Sequence, residues 1–282
     1  MATLCDIQKD REGMDLLHEI TETLKGASAA RLHGLQGQKK STKFNEYLED
    51  FFRILNLQHV VHPFLREEIS PPILIIALTS TDSFTGEVNS SIASKVLDGF
   101  TPDRDEVIVI GNRGAALIEE LGAKCTVFEK DLSDEQLLPV ARMLTNTITE
   151  KYLKGKFRKV DIVYPHFVSL ARQEVVKLNI LPFHPAKAIR GVQALPEEGL
   201  IEPSVYRVAE ILVKLWMLRR ITELCWESNV SFAAGRILRL EGSSQELARV
   251  KEQLRKEYFR VKHALNDKSI REVFAARIGV DK

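Results

Sequence analysis

Apolar positions along the chain change their period twice. Near the start, Leu4, Ile7, Met14, Leu17 and Leu24 advance by steps of 3, 7, 3 and 7, and Phe44, Leu48, Phe51 and Leu55 resume the series later. Such spacing marks one narrow stripe on an α-helix. Towards the end, Leu240, Leu247, Val250, Leu254, Tyr258, Val261 and Leu265 advance by 7, 3, 4, 4, 3 and 4, a coiled-coil seam. Between these arms the period shortens. Ile73–Thr79, Glu106–Ile110, Lys124–Phe128 and Val160–Tyr164 are short, apolar, β-branched runs of strand length. They alternate with helical stretches at Ser90–Leu97, Arg113–Leu121 and Asp134–Leu153. Strand–helix alternation predicts an α/β layer with a mostly parallel sheet.

Proline sharpens this division. All ten prolines lie between Pro63 and Pro203. Proline removes a backbone donor and clashes with the preceding helical turn, so proline-free arms favour long helices. A helix from Ser204 to Ile278 would span 75 residues, or roughly 110 Å at ~1.5 Å per residue. Gly13, Gly26, Gly34 and Gly37 each cost about 1 kcal/mol against alanine in a helix, which predicts fraying or a kink near Gly34–Gly37. Each arm carries a seam that it cannot bury alone, so the two are expected to pair as an antiparallel coiled coil. The predicted organisation is an N-terminal helical arm over 1–62, a Rossmann-like α/β domain over 63–203, and a C-terminal helix over 204–282 that pairs with the first arm.

Composition excludes several classes of function. Lys and Arg number 40 against 39 Asp and Glu, which argues against a nucleic-acid binder or a polybasic membrane adaptor. The longest apolar run, Ile73–Leu78, is far short of the ~20 residues of a spanning helix. No apolar stretch follows Met1, so a secretory leader is not expected. Cys5, Cys125 and Cys225 stand about a hundred residues apart, which suits neither a disulfide framework nor a zinc knuckle and points to a reducing compartment.

Candidate chemistry is sparse. Gly111-Asn-Arg-Gly114 sits where a strand gives way to a helix, the place of a phosphate-binding turn. It lacks the G-x-G-x-x-G fingerprint, and the chain has no Walker loop, so a tight strand-to-helix turn is the favoured reading. Thr79–Asn89 is rich in hydroxyls without a nucleophile elbow; Ser80, Asp82 and Ser83 read as turn formers. His59 and His62 are spaced as helical metal ligands, but no Glu or Cys completes a set. No catalytic, metal-binding or cofactor-binding residue is assigned.

Several segments together resemble the gamma subunit of F-type ATP synthases, the central rotor stalk. "ITETLKGASAARLHGLQ" (Ile20–Gln36) is similar to the family's opening helix, and "PPILIIALTSTDSFTGEVNSSI" to the first strand and loop of its middle domain. "VIVIGNRGA" and "VDIVYPHFVSLARQE" resemble later strands, "LIEPS" (Leu200–Ser204) the turn before the last helix, and the stretch from Glu241 to Ala275 the C-terminal rotor helix.

The resemblance implies paired terminal helices around a Rossmann-like domain, working as an off-centre shaft in a ring of alpha and beta subunits. It implies an epsilon subunit and a membrane ring of c subunits as further partners, with no catalysis in the chain itself. It also implies a peripheral location at the cytoplasmic face of a bacterial inner membrane. By position, Lys262, His263, Asn266 and Asp267 are expected to meet the catalytic head, and Glu202 the membrane ring. The seam of the shaft is expected at Leu240, Leu247, Val250, Leu254, Val261 and Leu265.

The chain also departs from the family pattern. Its first helix carries Asp10, Glu12, Asp15 and Glu19, where the family is strongly basic. "DSFTGE" keeps only Gly86 where the family has a "GLCGG"-like stretch, and "KHALND" (Lys262–Asp267) replaces "RQAAIT". Two alternatives remain open at this point: the rotor of a paralogous F-like ATPase specialised for hydrolysis, and a stand-alone Rossmann-like binding protein with dimerising arms.

Overall fold

The computed structural model describes residues 4–37, 48, 51–52, 61–65, 72–128, 132–133, 135–184 and 204–280, with the side chains of 275–280 excepted. Glu202, His59, Phe44 and Leu55 lie outside the described residues. The elements run α1 (Leu4–Gly37), a 3-10 turn (Pro63–Leu65), β1 (Ile73–Leu78), α2 (Val88–Leu97), β2 (Glu106–Ile110), α3 (Asn112–Glu120), β3 (Cys125–Phe128), α4 (Leu137–Leu153), β4 (Lys159–Ser169), β5 (Arg172–Leu181) and α5 (Val205–Val280). The fold is α/β, with N- and C-terminal helices and a central, mainly parallel sheet. The chain divides into two compact units, Arg31–Arg236 and the pair Met1–Ala30 with Ile237–Lys282.

In the larger unit one sheet has the order β3-β2-β1-β4-β5. β1 is central. It pairs in parallel with β2 through Ile76↔Ile108 and with β4 through Ile76↔Ile162. Because β1 is covered on both faces, Leu74 to Leu78 are all buried and the run is continuously apolar. β5 is the strand that the periodicity did not predict. It pairs antiparallel with β4, lies at the sheet edge, and is only half-buried along most of its length. Its sequence, RQEVVKLNIL, therefore carries charges where a central strand would carry valines.

The helices complete one core. α2 packs on β1, β4 and β5, and α3 on β2 and β3. α4 contributes Val140, Ala141, Leu144 and Ile148, and the first part of α5 contributes Ala209, Val213, Met217, Ile221 and Leu224. Leu48 and Phe52 also enter this core, with the Phe52 and Phe183 rings 4.6 Å apart. The sequence series had used Phe51 instead, and that side chain is exposed; residues four apart, not three, face the sheet here.

Glycine and threonine decide the crest of the sheet. Gly111 has φ +98°, and a Cβ there would lie 2.7 Å from the Thr79 carbonyl oxygen. A Cβ on Gly114 would lie 2.3 Å from the Thr79 side chain. Thr79 Oγ1 donates to the Ile110 carbonyl at 2.6 Å. The glycine turn thus seats Thr79.

Candidate functional site

The smaller unit pairs α1 with the later part of α5, and its cross-helix contacts set the direction. Lys25 meets Glu241 at 3.0 Å, Ser244 Oγ donates to Glu22 at 2.6 Å, and Lys251 meets Asp15 at 2.7 Å. Arg11 then lies 5.3 Å from the centre of the Tyr258 ring. As positions on α1 descend, their partners on α5 ascend, so the helices are antiparallel.

On α5, Leu240 is buried and Leu247, Val250, Leu254, Tyr258 and Val261 are half-buried. Leu265 departs from the expected seam: it is 49% exposed. Extended from these pairs, Leu265 falls at the very start of α1, where little of the partner helix remains to cover it. On α1 the covered stripe is Leu4, Ile7, Arg11, Met14, His18, Thr21, Lys25, Ser28, Leu32 and Leu35. These positions advance by alternating threes and fours, a regular heptad seam. The sequence series shares Leu4, Ile7 and Met14 with this stripe and adds half-buried Leu24, but it also takes in Leu17, which is 47% exposed. Polar residues at Arg11, His18 and Lys25 concealed the true stripe. α1 is helical through Gly34 to Gly37, and Leu32 and Leu35 near that end are buried.

Electrostatics bind this polar seam. Hydrogen bonding from Lys25, and then from Ser244, holds the Glu22 carboxyl below the usual range. Glu22 and Glu241 together raise the Lys25 ammonium above its ordinary value. Lys251 lowers Asp15 in the same way.

Away from the seam, both helices keep a second apolar face. Leu16, Leu17 and Ile20 are exposed on α1, and Phe259, Ile270, Val273 and Phe274 on α5. The residues expected to meet the head lie on this part of α5. Lys262, His263, Asn266 and Asp267 are all exposed, with Lys262 Nζ 5.9 Å from the Tyr258 ring centre.

Other candidate chemistry has local explanations. His62 is buried; its Nδ1 accepts from the Phe64 amide at 3.1 Å, and its ring packs against Tyr206. Burial lowers its pKa. No cluster of three or more metal-ligating side chains occurs among the described residues, and no described helix is long and apolar enough to cross a membrane.

Known proteins share this arrangement. Residues 3–276 match the ATP synthase family. The chain is 24% identical to the ATP synthase gamma chain of Chlorobium phaeobacteroides, over 98% of this chain and 97% of that one. It is 23% identical to the ATP synthase gamma chain of Clostridium perfringens, over 96% of each. Among solved structures, a chain of the Euglena gracilis mitochondrial ATP synthase, determined with OSCP, F1 and c-ring, superposes with a TM-score of 0.70 at 13% identity. That match covers 98% of this chain and 94% of the other. A chain from the central stalk and c-ring of the Tetrahymena thermophila enzyme gives a TM-score of 0.57 at 16% identity, over 80% and 99%. The antiparallel terminal helices, the α/β unit and a match over nearly the whole length agree: the chain belongs to the ATP synthase gamma-chain family.

Proposed function

We propose that the chain is the central-stalk subunit of an F-type ATP synthase, carrying rotation between a membrane ring driven by ions and a catalytic head. The observation that carries this reading is the double-faced helix pair. The two helices partly cover each other along their shared seam, yet Leu16, Leu17 and Ile20 on one helix and Phe259, Ile270, Val273 and Phe274 on the other stay exposed. Exposed apolar side chains in such numbers are the mark of a surface that a partner covers.

The mechanism needs no reacting side chain. A stiff, asymmetric helix pair presents different side chains to each subunit of a surrounding ring. Turning it changes which conformation each subunit favours, which is a coupling free energy between distant sites. Nucleotide chemistry then belongs to the alpha and beta subunits. Lys262, His263, Asn266 and Asp267 would touch that head, and Glu202 would touch the ring of c subunits, with an epsilon subunit beside the stalk. The complex would lie at the cytoplasmic face of a bacterial inner membrane, the chain itself being peripheral. In domain terms, 1–62 and 204–282 would form the shaft and 63–203 the inserted domain.

Purification of a tagged chain from native membranes tests the assignment, with co-purification of head and ring subunits expected. Recovery of the chain alone, as a stable dimer, would overturn it. Replacing Lys262, His263 and Asn266 together by Ala tests the head contact. Assembly should persist while ion pumping per ATP falls; wild-type pumping and turnover would remove these residues from the contact.

A further inference from the structure

Asp82 lies on the loop between β1 and α2, a segment that the rotor reading leaves without a task. The inner side of the loop is tied to the sheet. The Ser80 amide donates to Asn89 Oδ1 at 3.1 Å, and the Asp82 amide donates to Ser80 Oγ at 2.9 Å. Arg113 Nε, at the start of α3, donates to the Thr81 carbonyl at 3.1 Å. Asn89 Nδ2 donates back to the Ser80 carbonyl at 3.4 Å. Phe84 is held at φ +62°, a left-handed conformation uncommon for a bulky residue. The loop is therefore bound to the crest of the sheet on several sides.

Its outer side meets both terminal helices. Asp82 Oδ2 accepts from Arg31 Nη1 of α1 at 3.2 Å, and Arg236 Nη1 of α5 stands 3.6 Å from the same oxygen. One residue before Arg236, helix α5 has Gly235, where a Cβ would lie 3.0 Å from the Thr85 carbonyl oxygen and 3.4 Å from Val88 Cγ2. The missing side chain lets the loop backbone rest directly on the helix. Arg31 and Arg236 are also the first and last residues of the larger compact unit. One carboxylate thus joins the two places where the chain enters and leaves that unit.

We infer that Asp82 is a positioning residue that clamps α1 and α5 to the sheet, so that a twist applied to the α/β unit passes into both helices together. The function of the clamp rests on the rotor reading; its geometry does not. Covalently, a twist can leave the unit only through the 30–31 and 236–237 peptide bonds. If the loop held neither helix, part of that twist would be spent in side-chain slip. The ion pairs are half-exposed and add little to stability. Their contribution is directional, fixing both guanidinium groups on one oxygen.

The test uses the full chain in the reconstituted head-and-ring complex, comparing ATP hydrolysis with ATP-driven ion pumping. Asp82→Arg brings three cations together and Asp82→Asn removes the charge at constant shape. Both should keep hydrolysis near wild type, while ions pumped per ATP fall in Asp82→Arg, where the charge is reversed, and fall less in Asp82→Asn, where it is only removed. Asp82→Arg combined with Arg31→Asp permutes the same three charges and should restore pumping, which a merely structural loss would not allow. Equal pumping per ATP in wild type and both single variants overturns the clamp.

A second measurement separates this from failure of the rotor reading. Spin labels at His33→Cys and Glu87→Cys, in a Cys5→Ser, Cys125→Ser background of the isolated chain, should give a narrow distance distribution that broadens in Asp82→Arg. An unchanged distribution overturns the clamp even where the chain enters no complex. A wild-type chain that enters no complex, with the broadening present, overturns the rotor reading alone.

Discussion

Lys25 Nζ lies 3.0 Å from Glu241 Oε2 and 2.8 Å from Glu22, so one ammonium closes a cross-helix and an in-helix pair at once. Lys25→Glu would place three carboxylates together at a seam position. Lower helicity and weaker pairing of α1 with α5 are expected, with partial recovery at high salt as the repulsion is screened. Far-UV circular dichroism across a salt series checks this; a flat response would mean that the pair contributes nothing to pairing.

Acid and alkali should loosen this seam from opposite sides. Asp15, Glu22 and Glu241 are held below the ordinary carboxylate values by their lysine partners. A depressed carboxyl stabilises the folded state fully above its unfolded pKa, and that share is lost as pH falls through the folded one. Lys25 is raised, so its share is complete below the ordinary lysine value and lost as pH rises through the folded one. Helix pairing should therefore be flat around neutrality and decline at both extremes, measured by thermal melts from acid to alkali.

Breaking the seam should be costly. Leu254 is half-buried in α5, and proline there removes a helical hydrogen bond and clashes with the preceding turn, at about 3 kcal/mol or more. Leu254→Pro is expected to lose helicity and fail to assemble, as read by circular dichroism and co-purification.

Gly114→Ala tests the crest of the sheet. Its Cβ would fall 2.3 Å from the Thr79 side chain, and overpacking of this kind costs about 1–3 kcal/mol. Thr79→Gly should recover part of that loss by vacating the space. Denaturant midpoints of the two single variants and the double variant measure the interaction.

Asp105 is a second acid-sensitive anchor. Burial pushes its carboxyl up, but Arg104 and the backbone amides of Ile73 and Thr101 outweigh this, leaving it below the ordinary value. Its stabilisation is present above the unfolded carboxylate pKa and lost as pH falls through the folded one. Asp105→Asn should cost about 1.5–3 kcal/mol near neutrality and flatten the acid limb of the stability profile.

The contrast between seams explains what could be read from sequence. Leu247, Val250, Leu254 and Val261 are aliphatic and spaced by threes and fours, so periodicity alone groups them on one helix face. Arg11 and Lys25 occupy equivalent positions on α1, where the Tyr258 ring and the Glu241 carboxylate make a polar residue acceptable. That information lies on α5, more than two hundred residues away. Likewise β1 was legible because a strand covered on both faces must be apolar throughout, while β5, at an edge, was free to carry charge and left no period to detect.

The sequence by itself determined the long helices and the strand–helix alternation, because proline placement and apolar period act on neighbouring residues. It also carried the family likeness, spread over nearly the whole chain. Only the tertiary structure decided that Gly111 and Gly114 make room for Thr79, that Leu16, Leu17 and Ile20 face outward, and that Asp82 joins Arg31 to Arg236. Those outcomes depend on which distant surfaces meet, and local spacing holds no record of that.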